Sequence, residues 1–234
     1  MSGYPWSQVP SRMLLTGVIC LGAAGCGSSA MPPVTSTRQS TTAAAPTTSV
    51  PTTRATTTAT TTTTTTTTIR SGPGTLARYS VEAQSAAGSC HYRTEGGTWL
   101  PDPLCTPGAV NPQVSQANIA TTICQSGWTA TVRPPASITG PEKVGSARAY
   151  SYTGSFRTGE YDHLIPLELG GDPNDPANLW LQPNENTNAT STRNTKDSLE
   201  NALKGLVCSR RLTLAAAQQA IATNWVADAR SYQG

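Results

Sequence analysis

The chain has 234 residues, 36% of them hydrophobic and 12% charged, and carries a formal net charge of +3 with a pI near 8.6. The positive excess lies ahead of residue 75: from Thr75 onward twelve Lys or Arg face thirteen Asp or Glu, a net charge near −1. The basic pI is therefore no argument for a surface that tracks nucleic acid. The cysteines include no CxxC pair, so they form no zinc-ribbon pattern either.

Residues 1–25 read as a targeting segment. Arg12 precedes an apolar run, 13–25, that is too short to span a bilayer comfortably. The run ends Ala23-Ala24-Gly25-Cys26, which resembles a bacterial lipoprotein signal, with Cys26 as the acylated first residue and Cys20 removed. An ordinary secretory signal or an uncleaved anchor is the alternative. Residues 26–74 are dominated by Thr, Ala, Ser and Pro and include an unbroken threonine run at 60–68. Such a segment buries too little apolar surface to offset its chain entropy and is expected to be a disordered stalk. The protein is then exported, and either held at the outer face of the cell membrane by a lipid anchor or secreted.

The remaining 160 residues suffice for one core. They divide into an N-terminal part of the globular domain, 75–155, and a C-terminal part, 156–234. Residues 75–88 show no clear periodicity. Residues 113–123 are expected as a short helix, and 127–133 (Gly-Trp-Thr-Ala-Thr-Val-Arg) alternate like a strand stopped by Pro134 and Pro135. A helix is expected over 142–149. Arg133 and Arg157 are candidate phosphate contacts, with a surface ion pair the competing reading for Arg133. His91, one of only two histidines, reads as a surface or packing residue. Cys90, Cys105, Cys124 and Cys208 imply two disulfides in an exported chain. Three pairings are possible, and the favoured one joins Cys90 to Cys105 and Cys124 to Cys208.

The most informative stretch begins Glu160-Tyr-Asp162-His163-Leu-Ile-Pro-Leu-Glu168-Leu-Gly170-Gly171. Residues 161–169 read as an extended segment closed by the two glycines. A turn-rich loop leads to a second strand, 178–182, that holds Asn178 and Trp180, the latter read as core. Beyond Asn194, the residues Leu199, Ala202, Leu203 and Leu206 fall on one helical face. Thr213 can cap a last helix whose face is Leu214, Ala217, Ile221 and Trp225. The order is strand, loop, strand, loop, helix, and then a closing helix. The fold class expected is a small mixed α+β domain.

His163 can take a proton from water. Asp162 and Asn194 can offer oxygens to a cation. The stretch resembles the HNH family of nucleases, built on a ββα-metal finger, whose motif runs Asp/His-His, then Asn, then His or Asn. It is similar in particular to a secreted group with blocks that match Asp162 to Gly171, Asn178 to Trp180 and the Lys196-Asp197 region. The resemblance covers roughly Asp102 to the C-terminus. It implies His163 as general base, Asp162 as metal ligand, and Asn178 as the residue that fixes the hairpin and orients the His163 ring. Asn194 stands at the third motif position as a second ligand, an HNN variant, and Lys196 beside it is the best phosphate contact. The all-oxygen ligand pair suits Mg2+ or Mn2+ better than Zn2+.

The implied activity is metal-dependent hydrolysis of phosphodiester bonds in DNA or RNA, with little sequence specificity and no organic cofactor. A binding module that keeps the fold without catalysis is the alternative. The local charge favours that alternative, because eight acidic and only two basic residues lie between Glu160 and Glu200.

Overall fold

The computed structural model describes residues 67–186 and 194–232. The expected signal, its Cys26, the stalk as far as residue 66 and residues 187–193 lie outside the described residues. The described chain is a small mixed α+β fold with short strands and four α-helices. The strands pair two by two. β1 (Arg70–Ser71) runs parallel to β4 (Ala109–Val110), and β2 (Arg93–Glu95) forms a hairpin with β3 (Thr98–Leu100). β5 (Gly159–His163) pairs antiparallel with β6 (Leu179–Pro183). The helices are α1 (Trp128–Val132), α2 (Ala136–Ala149), α3 (Thr195–Cys208) and α4 (Leu214–Tyr232). Among the described residues no helix is long and apolar enough to cross a membrane.

Several local expectations change once tertiary partners are present. The chain joins the fold before the stalk boundary drawn at Gly74: Arg70 donates to the Gly108 carbonyl and Gly74 to a carboxylate oxygen of Asp172. Residues 127–133 contain a one-turn helix, not a strand. Gly127 turns the chain at φ +79°, and Arg133 is forced extended before Pro134. The helix expected over 113–123 shrinks to a 3-10 turn, Ile119–Thr121. Its neighbours compete for the backbone there: the Asn118 side chain accepts from Ser115, and the Thr121 and Thr122 hydroxyls donate to the Asn118 carbonyl. The helix expected at 142–149 begins earlier, directly after Pro135.

The two C-terminal helices follow their sequence pattern more closely. α3 buries Leu199, Leu203 and Val207, a stripe that runs one position past the expected Leu206. α4 buries Leu214, Ala217, Ile221 and Trp225, with a kink at Asn224. These faces meet Leu164, Ile165 and Trp180 to form the core, so Trp180 is packing and not a stacking platform. Burying a large apolar side chain is worth about 1.5–3 kcal/mol, so the shared core ties Trp180 of the hairpin to this helix pair, while α2 packs directly on β6. The outer edge of β6 is covered. Leu181 donates to the Ser146 hydroxyl of α2, and its carbonyl accepts from Tyr92. Cys90 is bonded to Cys105 and Cys124 to Cys208, the second tying the segment before α1 to the end of α3.

Candidate active site

The site grows from the end of β5. In the register of the hairpin Glu160 lies opposite Gln182, Asp162 opposite Trp180 and His163 opposite Leu179. The strand stops at His163 and does not continue to Leu169, because Asn178 takes the next peptide groups out of any ladder. Its Oδ1 accepts from Ile165 and Ala109, and its Nδ2 donates to the carbonyls of Ile165 and Asp172. Pro166 then opens a 3-10 turn, Leu167–Leu169, and Gly170 and Gly171 bring the chain back. A side chain at Gly171 would place its Cβ 1.8 Å from the Ile165 carbonyl oxygen, so only glycine fits this return.

Asn178 thus fixes the hairpin, as the resemblance implies, but it does not touch the His163 ring. That task falls to the Pro173 carbonyl, 3.0 Å from Nε2. A carbonyl can only accept, so Nε2 carries the proton and Nδ1 keeps its lone pair. Burial pushes the imidazole from 6.5 down to about 3, the Pro173 carbonyl works against this, and Arg133 and Lys196 add to the depression. His163 is therefore a neutral ring of fixed orientation, 7% exposed.

His163 lines a cleft of about 210 Å3 with Arg133 of the segment after α1. Five carboxylates share the cleft: Glu160, Asp162, Glu168, Asp197 and Glu200. Burial and the neighbouring Asp162 and Asp197 carboxylates raise Glu160 to about 7, against the pull of Lys196 and Arg133. Burial also raises Glu200, to about 8, against the pull of Lys196.

Two expected roles on α3 change. Lys196 is not a phosphate contact. It is 1% exposed, and its ammonium lies 2.7 Å from the His163 carbonyl, 2.8 Å from Asp162 Oδ2 and 2.5 Å from Glu200 Oε1. Burial works to lower its pKa, but the Asp162 and Glu200 carboxylates outweigh that and hold it above the ordinary lysine value. Asn194 is the N-cap of α3. It forms a capping box with Asp197, and its Oδ1 also accepts from the Glu185 backbone at 3.0 Å. Arg157 is exposed on the approach to β5, away from the residues that line the cleft.

Of the oxygens expected to hold a metal, Asp162 Oδ2 is engaged by Lys196 and the Trp180 indole, and Asn194 Oδ1 by backbone amides. Among the described residues no three His, Cys, Asp or Glu side chains are grouped so as to hold an ion. The hard-oxygen chemistry suits Mg2+ or Mn2+, but the arrangement does not fit a metal held between Asp162 Oδ2 and Asn194 Oδ1. Glu160, Glu168 and Glu200 were missed as site residues. Glu160 sits two positions from Asp162 on the strand and Glu200 four from Lys196 on the helix, and those spacings were the available signal.

Comparison with protein-family models, with curated proteins and with solved structures finds no match.

Proposed function

We propose that this domain is an HNH-type nuclease, a phosphodiester hydrolase that acts on DNA or RNA outside the cell with little sequence specificity, from an envelope anchor or free. On this reading β5, β6 and α3 are the ββα finger. The observation that carries the proposal is His163, a neutral imidazole with a fixed ring and a free lone pair, in a cleft that also holds Arg133.

In the proposed reaction the phosphodiester anion bound beside His163 raises the ring's basicity from its depressed value in the free protein, and Nδ1 takes a proton from water as the water oxygen bonds to phosphorus. The bond from phosphorus to the leaving sugar oxygen breaks on the opposite side. That oxygen takes a proton from Glu160, whose carboxyl is raised to about 7 and so keeps a protonated fraction near neutrality. Arg133 offsets the phosphate charge. The Mg2+ or Mn2+ that the resemblance implies is kept as a variable of the assay. Asp162 Oδ2 and Asn194 Oδ1 as arranged do not fit it.

A second reading, a binding module that keeps the fold, draws on one observation. Among the described residues five acidic side chains line the cleft against one cation, Arg133, an imbalance that opposes an anionic backbone.

Plasmid DNA and RNA cleavage by the purified, oxidised protein tests both readings, run with EDTA, Mg2+, Mn2+ and Zn2+ in parallel. Cutting should fall at least ~100-fold in His163→Ala and ~10-fold in Arg133→Ala, and stay unchanged in Arg157→Ala. Equal cutting by His163→Ala removes the assigned base. No cutting under any condition by a folded, disulfide-bonded protein moves the assignment to the binding module.

A further inference from the structure

We propose that Lys196 is the resident cation of this site, an ammonium that occupies the oxygen cage where a divalent ion would otherwise bind. The inference rests on the nuclease reading of the cleft, and it reassigns the cation of that site from a metal to a side chain.

The argument is geometric. Three protons on Nζ meet three oxygens from three places in the chain: the His163 carbonyl at 2.7 Å, Asp162 Oδ2 at 2.8 Å and Glu200 Oε1 at 2.5 Å. An ammonium has three donors and no acceptor, so this cage satisfies it completely. A Mg2+ or Mn2+ bound to Asp162 Oδ2 would stand at about 2.1 Å from that oxygen, inside the volume that Nζ already fills. Two cations cannot share the cage. The side chain cannot withdraw to solvent either, since Lys196 is 1% exposed and sits on the buried face of α3 with Leu199 and Leu203.

Two turns on, the same helix makes a looser and partly exposed ion pair. Lys204 lies 3.4 Å from Glu168 Oε2, so α3 presents Lys196, Glu200 and Lys204 along one line toward the carboxylates of the cleft. Lys196 also touches the carbonyl of the residue assigned as base. It is therefore a positioning residue: it holds the end of β5, the Asp162 carboxylate and α3 in one register around His163.

The test reads metal binding, so it remains legible if the protein cuts nothing. Mn2+ is titrated into the full chain and followed by electron paramagnetic resonance, and the melting temperature is measured with EDTA and with about 1 mM Mn2+. The wild type should show no Asp162-dependent Mn2+ site tighter than about 1 mM, and its melting temperature should not rise. Lys196→Ala should melt lower in EDTA and regain about 3 °C or more in Mn2+, with the gain lost in Lys196→Ala/Asp162→Asn.

A micromolar Mn2+ site in the wild type that disappears in Asp162→Asn overturns the inference while leaving the nuclease reading intact. A folded Lys196→Ala that Mn2+ does not rescue also overturns it, because the lysine is then only packing. The wild-type titration decides the matter alone should Lys196→Ala fail to fold.

Discussion

His163 makes the protein's stability depend on pH in a way that can be isolated. The ring is neutral and buried in the folded state, with a pKa of about 3, against 6.5 when unfolded. Below pH 6.5 the unfolded chain therefore binds a proton that the folded chain refuses. For a base whose folded pKa is depressed, stability is present above the unfolded pKa and is lost as pH falls toward the folded one. Linkage gives a loss of about 2 kcal/mol between roughly pH 7.5 and pH 5, rising to nearly 5 kcal/mol below pH 3. The figure at pH 5 barely changes if the folded pKa is one unit higher, so it is the value to test.

Glu160 and Glu200 act in the opposite sense. Their folded pKa values are raised to about 7 and 8, so their contribution is present at low pH and lost as pH rises through those values. The wild type alone would mix these effects. His163→Gln removes the titration and keeps an amide donor for the Pro173 carbonyl. Urea unfolding of both proteins at the two pH values isolates the histidine. The expected result is a wild type that loses about 2 kcal/mol more than His163→Gln on going from about pH 7.5 to 5. A difference below about 0.5 kcal/mol would falsify the buried neutral ring, and with it the fixed tautomer on which the assignment of the base depends.

Two further predictions concern stability. Removing Cys124–Cys208, which closes a separation of 84 residues, should cost ~4.6 kcal/mol, and removing Cys90–Cys105, with a separation of 15, ~3.1 kcal/mol, on the chain-entropy model. Denaturant unfolding of the two double-serine variants checks the order, and a larger loss for the short loop contradicts it. Asn178→Ala deletes four side-chain hydrogen bonds and should destabilise by about 3 kcal/mol, whereas a loss under about 1 kcal/mol would mean that the loop after β5 holds itself.

Much of the C-terminal architecture was legible in the sequence because its signals are local. The α4 face of Leu214, Ala217, Ile221 and Trp225 is a repeat along one helix, and the structure buries all four. The hairpin ends were harder, since the stop at His163 is imposed by Asn178 from outside the strand. Residues 127–133 misled for a related reason. Alternating β-branched residues look like a strand, but Gly127 and the two prolines leave room for only one helical turn.

The site showed the same division. Asp162, His163 and Arg133 were visible as chemistry at known positions, and they line one cleft. The fate of Lys196 was not visible. A lysine on a helix is ordinarily a solvated charge, and only the folded chain brings the His163 carbonyl and Asp162 to it. Asn194 was equally ambiguous, because the oxygen that could ligate a cation is the same oxygen that caps a helix.

The Cys124–Cys208 bond has a consequence for durability against proteolysis. Arg133, Glu160, Asp162, His163, Asn178, Lys196 and Glu200 all fall between the two bonded cysteines, so the whole cleft belongs to one covalently closed ring. A single proteolytic cut within that ring opens it without releasing either piece. A nicked molecule would keep its mass on a non-reducing gel and separate into two fragments only when reduced. On the proposed reading of an exported nuclease, the bond makes loss of one peptide link to an extracellular protease survivable.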